Sequence, residues 1–215
     1  MLIDYSDIQK ILSEYGIQPV GALHIGAHEC EEMTFYHQLS IPSEKVIWID
    51  ALPDKVQQAK DRSIPNVYHA VVTDRDDQEV VFHVSNNGQS SSVLEFGTHA
   101  QEHPWVFYIH ELRQSTVTID TFAKRNSIDL SKHDFWNFDI QGAELMALKG
   151  AIQNLPHAKA LYLEVNEKEL YQGCGLMLEI DEFLAPYHFK RVLTNITSHG
   201  WGDALYVFHD LNLIK

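Results

Sequence analysis

The chain has 215 residues, of which 45% are hydrophobic and 21% charged, a balance that can bury one core, and we expect a single domain over residues 1–215. Its formal charge of -14 argues against nucleic acid and anionic membranes as partners, since polyanions are bound through Lys and Arg, of which there are only 16. Cys30 and Cys174 form no CxxC motif, and neither a signal peptide nor a membrane-spanning apolar run is evident, so we expect a cytoplasmic protein.

The first third of the chain alternates helical and strand-like segments. Ser6 and Gln9 resemble a capping box at the start of an amphipathic helix, which ends before Gly16 and belongs to an N-terminal segment of residues 1–19. Further segments follow in chain order: a strand at 20–25, a helix from about Glu31, a strand at 46–49, a helix at 53–62 and a strand at 67–72. This alternation predicts a parallel sheet with helices on both faces.

Residues 74–118 interrupt the alternation. The runs EVVFHV and SNNGQSSSV predict an inserted hairpin and loop instead of a crossover helix. Such a segment either decorates the edge of the sheet or covers a site, and the polar run NNGQSSS is either a lid over a cofactor or a plain hairpin tip.

The alternation resumes with DFWNFDI, a helix at 143–154, KALYLEV and a helix at 177–187. The last two strands, at 189–194 and 204–208, are joined by NITSHGWGD, which is too short for a helical crossover and predicts antiparallel neighbours. The expected fold is therefore α/β, a Rossmann-like sheet of seven mostly parallel strands with the last strand antiparallel.

The loop GALHIGAHECEE lies where the first strand of an open parallel sheet turns toward its helix, which is the usual ligand position. Gly26 suits close approach of a ligand, but the glutamates at 29, 31 and 32 would repel a pyrophosphate. A phosphate-free nucleoside with a positive centre avoids that repulsion. S-adenosylmethionine (SAM), with its sulfonium and ammonium groups, fits this description.

Asp50 ends the second apolar strand, where an acidic side chain accepts the ribose hydroxyls of a nucleoside cofactor. The alternative is a solvated aspartate before ALP. Gly26, Asp50 and the reversed last strand together favour a class I methyltransferase over a dehydrogenase.

Candidate chemistry lies at the carboxyl ends of the fourth and fifth strands, where Asp139, Glu164 and Asn166 could converge. Asp139 could act as a base on an acceptor hydroxyl, or the three side chains could hold a hard cation such as Mg²⁺. The structural alternative is that Asp139 or Gln141 caps the following helix while Glu164 pairs with Lys168.

The turn NITSHGWGD supplies a second group of candidates. His199 is a candidate base, because its pKa suits proton transfer near neutrality, while Trp201 and Asp203 are candidate acceptor contacts. The alternative is a rigid turn with Trp201 packed on the core.

A competing motif is HAQEH, in which His99, Glu102 and His103 fit the His-x-x-Glu-His pattern of inverted zinc peptidases. That pattern needs a sustained helix, but Gly97 precedes the motif and Pro104 follows it at once. A zinc hydrolase is therefore a minor alternative.

Five segments resemble, in order, the marker segments of the FkbM family of SAM-dependent methyltransferases: HIGAHECEEMTFY, VTIDTF, FDIQGAELMALKGA, LYLEVNEKELY and GWGDALYV. The resemblance implies methyl transfer to a hydroxyl of a sugar, glycan or natural product. It places cofactor contacts at Gly26, Ala27, His28, Asp50, Ala51, Asp139 and Gln141.

Three positions depart from the family pattern. His24 stands where many relatives have an acidic residue, Cys30 where many have glycine, and Gln141 in place of the first glutamate of the signature. Because Cys30 and Gln141 touch the cofactor loop and the catalytic region, a binding module without catalysis is the third hypothesis.

Overall fold

A computed structural model describes residues 1–209, so the last six residues of the expected domain lie outside the described part. The strands are β1 (Ala22–Ile25), β2 (Val46–Asp50), β3 (Val67–His69), β4 (Val71–Val72), β5 (Glu79–Ser85), β6 (Tyr108–Val117), β7 (Phe135–Phe138), β8 (Ala160–Asn166), β9 (Phe189–Ile196) and β10 (Trp201–Phe208). The α-helices are α1 (Tyr5–Glu14), α2 (Met33–Gln38), α3 (Pro53–Asp61), α4 (His99–Glu102), α5 (Ile119–Arg125), α6 (Glu144–Lys149) and α7 (Met177–Leu184).

The centre of the fold is a seven-stranded sheet of order β3-β2-β1-β7-β8-β10-β9. Strand β10 is antiparallel to both of its neighbours, while the pairs β1–β2, β1–β7, β2–β3 and β7–β8 are parallel. The expected Rossmann-like class, with seven strands and a reversed last one, is confirmed. None of the helices in residues 1–209 has the length and apolar composition needed to cross a bilayer.

The apolar residues of the central strands divide between two cores, one on each face of the sheet, because side chains alternate along a strand. In β1, Leu23 and Ile25 enter the core beneath α5, α6 and α7, whereas Ala22 enters the core beneath α1, α2 and α3. The strand order reverses at β1: β2 and β3 lie on one side of it, and β7, β8, β10 and β9 lie on the other. Ligands of open α/β sheets bind at this switch point, beyond the carboxyl ends of the strands.

The N-terminal helix begins two residues earlier than the capping box predicted, and that prediction is wrong. Helix α1 starts at Tyr5 with Asp4 as the N-cap residue, and no side chain caps it. The Gln9 amide instead donates to the Gln38 carbonyl at 3.1 Å, which ties α1 to the end of α2.

The strand expected at 67–72 is two strands in different sheets. Strand β3 pairs with β2, whereas β4 pairs with β6, and the N–H of Ala70 between them donates to the Asp50 carbonyl at 3.0 Å. The helix expected at 143–154 also stops early, at Lys149. The next residue, Gly150, packs so closely on the Thr73 carbonyl that a Cβ would lie 2.3 Å from its oxygen.

The inserted segment contains the hairpin of β5 and β6, which with β4 forms a second, three-stranded sheet of order β4-β6-β5. Between the hairpin strands the chain forms the polar loop of residues 86–92 and then the single turn of α4. Both cysteines are free and buried.

Candidate active site

The end of β1 lies directly against the end of β7, and Gly26 permits this contact. Gly26 has φ +91°, and a Cβ there would lie 1.8 Å from the carbonyl oxygen of Asp139. Its N–H and that of Ala27 both donate to the Ile49 carbonyl of β2, at 2.9 and 3.1 Å. Gly26 therefore brings the carboxyl ends of three strands together.

The loop after Gly26 continues in left-handed conformations, with φ 40° at His28 and 56° at Cys30. Glycine favours such a backbone, which explains why relatives with glycine can share the loop geometry of Cys30. The Cys30 side chain is buried in the core beneath α2, and burial raises the pKa of its thiol to about 12. Cys30 is therefore a packing residue and not a nucleophile.

Asp50 fixes the two loops that follow β1 and β2. One carboxylate oxygen accepts the N–H of His28 at 2.7 Å, and the other accepts the N–H of Leu52 at 2.7 Å. The side chain is buried, and burial raises its pKa. Each oxygen keeps a lone pair that can accept a further hydrogen bond.

Two connected cavities open beyond these strand ends. The smaller is lined by six of the seven expected cofactor contacts, namely Gly26, His28, Asp50, Ala51, Asp139 and Gln141. The larger has a volume of about 510 Å³ and is lined in part by Tyr5, Glu31, Glu32, Trp105, Glu164, Trp201 and Asp203. Five residues line both: Gly26, His28, Gln89, Asp139 and Gln141.

A bridged pair of carboxyl groups forms the floor between the cavities. The Gln141 amide nitrogen donates to Asp139 Oδ1 at 2.7 Å and to Glu164 Oε2 at 2.6 Å. The Gln141 amide oxygen accepts the Tyr171 hydroxyl at 2.5 Å. Gln141 itself has φ 57°, and its unusual backbone turns the side chain back over the end of β7.

Glu164 is buried at the end of β8 and its environment favours the neutral acid. Burial first, and the charge of Asp139 second, raise the pKa of Glu164 well above its usual range. Its Oε1 atom is buried and has no hydrogen-bond partner among residues 1–209. The environment of Glu164 therefore favours its neutral form, and one of its oxygen atoms is available to a ligand.

This geometry gives no support for a cation held by Asp139, Glu164 and Asn166. The Gln141 amide donates into the space between the two carboxyl groups, where a cation would need oxygen ligands. Asn166 is fully buried, and its amide atoms are unpaired within the described chain.

Three expected site residues lie elsewhere. Ala27 packs in the core beneath α2 and lines neither cavity. Asn166 is also absent from both linings, and so is His199. His199 instead lies with Nδ1 3.0 Å from Glu102 Oε2, so the structure does not place it as a base in the cavity.

Trp201 and Asp203 do line the larger cavity, but Asp203 is already engaged. Its Oδ2 atom accepts both the Tyr162 hydroxyl and the N–H of Leu2. Burial raises the pKa of Asp203 despite these contacts. Asp203 thus holds the start of the chain against the end of β10, where Leu2 also lines the cavity.

His24 belongs to the core and not to the cofactor loop. Its Nδ1 lies 2.7 Å from the Tyr36 hydroxyl, which also accepts the Asn137 amide at 3.2 Å. Burial lowers the pKa of His24 to about 4, so the ring is neutral. His24 thus finds hydrogen-bond partners within this buried network in place of an acidic residue.

Neither Asp139 nor Gln141 caps the helix that follows β7, because its N-cap residue is Ala143. Glu144, at the first position of α6, accepts the N–H groups of Ile140 and Gly142 at 2.9 and 3.3 Å. Glu144 is therefore the residue that caps this turn. The expected Glu164–Lys168 pair is wrong, since Lys168 contacts Glu102.

The zinc-peptidase pattern is not supported. Helix α4 consists of a single turn that ends at Glu102, and the His99 ring stacks on Phe96 with centroids 4.2 Å apart. Lys168 binds one oxygen of the Glu102 carboxylate, so the motif lacks the sustained helix and the free glutamate that the zinc-peptidase pattern needs.

Sequence reasoning missed the contacts that hold Gln141. Ser92 Oγ donates to the Gln141 carbonyl at 2.8 Å, and Tyr171 binds its side chain. The polar run of the insertion was a usable signal, because its residues Asn87, Gln89 and Ser90 line the larger cavity. Tyr171 ends the marker segment LYLEVNEKELY, but no role was expected for it.

Residues 24–192 match the model of the methyltransferase FkbM domain. The chain belongs to the FkbM methyltransferase family. The recognition made from the marker segments is thereby confirmed, and the FkbM signature around Asp139 coincides with the floor of the two cavities.

A curated protein that is similar to this chain has low sequence identity to it. The 2-O-methyltransferase NoeI of Sinorhizobium fredii (strain NBRC 101917 / NGR234) is 24% identical over 165 residues, which is 70% of this chain and 65% of NoeI. The chain thus spans about 65% of the length of this curated relative.

Solved structures show the likeness in fold. A protein in the NADB-Rossmann superfamily from Streptococcus agalactiae is 15% identical with TM-score 0.50, covering 99% of this chain and 71% of its own. Magnesium protoporphyrin IX methyltransferase (ChlM) from Synechocystis PCC 6803 with bound SAM is 14% identical with TM-score 0.46. The match covers 95% of this chain and 78% of the ChlM chain.

Proposed function

We propose that this chain transfers the methyl group of SAM to a hydroxyl of a sugar or glycan. The family is a methyltransferase family, and the curated relative NoeI is a 2-O-methyltransferase. The observation that carries the proposal is the set of five residues shared by the two cavities. A cofactor seated in the smaller cavity presents its reactive end to an acceptor in the larger one across Asp139 and Gln141.

The lining residues suit SAM. Asp50 offers carboxylate lone pairs to the ribose, and the neighbouring apolar pocket of Ile49, Ala51, Val72, Phe82 and Ile140 suits adenine. Glu31 and Glu32 both line the larger cavity. The Glu31 carboxylate would attract a cationic ligand and repel a pyrophosphate, whereas burial raises the pKa of Glu32 to about 7. The glutamate-rich loop thus favours SAM over a dinucleotide.

The roles at the cavity floor follow from the two carboxyl environments. SAM supplies an electrophilic methyl group, and the acceptor hydroxyl must lose its proton during or after attack. Asp139 is the base we propose for that proton. Glu164, whose environment favours the neutral acid, keeps an unpaired oxygen that can bind the acceptor, and Gln141 bridges the two carboxyl groups.

The two departures that suggested a binding module without catalysis are accommodated in this arrangement. Cys30 adopts the left-handed backbone that glycine would adopt, and Gln141 bridges two carboxyl groups that an ionised glutamate would repel. Neither departure removes a group that the proposed chemistry needs.

A direct test is calorimetric titration of the purified chain with SAM and S-adenosylhomocysteine (SAH), followed by turnover assays with a panel of sugars and oligosaccharides. We expect saturable binding of both ligands at one site and release of SAH with a suitable acceptor. Failure to bind either ligand would overturn the proposal, whereas binding without turnover on any hydroxyl acceptor would favour the binding module.

Asp50→Ala is expected to weaken SAH binding by at least about tenfold, because hydrogen bonds to a charged group contribute about 1.5–3 kcal/mol and the loops after β1 and β2 lose their common anchor. The measurement is calorimetric titration with SAH. The matched control is Asp76→Ala, since Asp76 also accepts a backbone N–H, that of Thr118 at 2.7 Å, and a hydroxyl, that of Thr121 at 2.7 Å. Unchanged SAH affinity in Asp50→Ala would remove Asp50 from the cofactor site.

A further inference from the structure

Three side chains from two distant segments meet at the rim of the larger cavity. Glu102 and His103 come from the single turn of α4 and the residue after it, whereas His199 comes from the turn between β9 and β10. One nitrogen or oxygen atom of each lies within 4.8 Å of those of the other two. The Nδ1 atom of His199 and Oε2 of Glu102 are 3.0 Å apart, and the rings of His103 and His199 have centroids 4.8 Å apart.

Backbone hydrogen bonds hold both segments in place. The N–H groups of Gly97 and Thr98 donate to the carbonyls of Leu170 and Glu169, at 2.8 and 3.0 Å, and dock the start of α4 on the chain after β8. The turn that carries His199 is closed by two bonds, from Gly200 to the Thr197 carbonyl at 3.0 Å and from Thr197 to the Trp201 carbonyl at 2.8 Å. The three side chains are therefore presented by ordered backbone.

One oxygen of the Glu102 carboxylate lacks a hydrogen-bond donor within the described residues. Oε2 of Glu102 is buried and makes no hydrogen bond within the described residues, although His199 Nδ1 is close, because the two atoms are not aligned for one. A buried acceptor atom without a hydrogen bond is costly, so Oε2 of Glu102, which lies beside the two imidazoles, points to a ligand that the protein side chains do not supply.

We propose that Glu102, His103 and His199 bind a divalent transition-metal ion of the zinc class. Two imidazoles and one carboxylate are a ligand set that zinc prefers, and three protein ligands leave a fourth position for water or another oxygen ligand. Ligands bound to zinc at 2.0–2.2 Å in tetrahedral geometry lie about 3.4 Å apart. The separations in the structure, 3.0 Å between His199 Nδ1 and Glu102 Oε2 and at most 4.8 Å for the other two pairs, lie on either side of that value.

Lys168 helps this arrangement. Its ammonium contacts Oε1 of Glu102 and leaves Oε2 toward the two histidines. Partners of this kind orient metal ligands from the outer shell. Without an ion, the contact between Lys168 and Glu102 is an ordinary salt bridge. Metal titration distinguishes a salt bridge from a metal site.

Of the three proposed ligands, His103 lines the larger cavity, so an ion held by them would lie at the rim of that cavity. The metal-binding proposal stands apart from methyl transfer. Its consequence for an acceptor rests on the proposed function: an oxygen of the acceptor would bind the ion at the cavity rim.

The test is calorimetric titration of the full-length, tag-free chain with Zn²⁺ after chelator treatment, with Co²⁺ as a spectroscopic probe of tetrahedral coordination. We expect one ion per chain and visible d–d absorption of tetrahedral Co²⁺. Glu102→Gln, His103→Ala and His199→Ala should each weaken Zn²⁺ binding by at least about tenfold and abolish the Co²⁺ bands.

The controls are His37→Ala and His157→Ala, which remove exposed histidines far from the three ligands in sequence. They matter because the chain has 13 histidines that can bind metal adventitiously. The proposal is overturned if wild-type protein shows no saturable 1:1 binding, or if the control variants lose as much affinity as the ligand variants. Circular dichroism and SAH titration of each variant show whether it is folded, and their outcome is independent of the metal.

Discussion

Gly26→Ala is expected to lower the free energy of unfolding by about 3 kcal/mol or more, enough to unfold a marginally stable domain. Two costs add at this residue. The backbone has φ +91°, which an L-residue rarely adopts, and the new Cβ would lie 1.8 Å from the Asp139 carbonyl oxygen, which belongs to the backbone and cannot rotate away. The ends of β1 and β7 must separate, and the cavity floor built on Asp139 is displaced with them.

The measurement is urea unfolding, and Gly173→Ala is the matched control. Gly173 also has positive φ, +70°, but a Cβ there meets nothing within 4 Å. Its substitution carries backbone strain alone and should cost about 1 kcal/mol. Equal costs for the two variants would contradict the argument that close approach of the strands is what requires glycine at residue 26.

The sequence predicted the parts of the fold that depend on local patterns. Apolar runs located every strand of the main sheet, and the short turn before β10 predicted its antiparallel direction. Local patterns failed where tertiary contacts decide the outcome. At Ala70 the chain leaves the main sheet, because Val71 pairs with Thr116 of β6, a residue 45 positions away that no local signal connects to it.

The site was predictable to the extent that strand ends locate it. Asp139 and Glu164 follow apolar runs directly, and the fold brings both to the same cavity floor. The role of Gln141 was not predictable, because it depends on a left-handed backbone and on Tyr171, thirty residues further on. From the sequence, Gln141 in place of a glutamate indicated only the loss of a charge. In the structure, its amide nitrogen donates to both carboxyl groups and holds them together.

His24 and His199 show two further limits. Side-chain alternation along β1 places His24 on the face opposite Leu23 and Ile25, so it packs against Trp48 with ring centroids 4.8 Å apart and not against a cofactor. His199 meets Glu102 across a distance of nearly a hundred residues in sequence. No spacing rule connects two loops that the fold alone brings together.

Asp139→Asn is expected to reduce kcat by about 10²–10⁴-fold, the usual contribution of a positioned general base, with SAH affinity changed by less than about threefold. Asparagine has the same shape and can still accept the Gln141 amide hydrogen bond through Oδ1, so the cavity floor is kept. Only the capacity to take the acceptor's proton is removed. Steady-state kinetics with saturating acceptor and calorimetric titration with SAH separate these two effects.

The matched control is Asp129→Asn, an exposed aspartate at the start of a short helical turn remote in sequence from the site, which should leave kcat unchanged. A parallel loss of SAH affinity and kcat would make Asp139 a cofactor-binding residue, since it also lines the smaller cavity. An unchanged kcat would contradict the assignment of the base and turn attention to Glu164. In either case the two cavities would still meet at Asp139, because that contact is set by Gly26 and not by the charge of the aspartate.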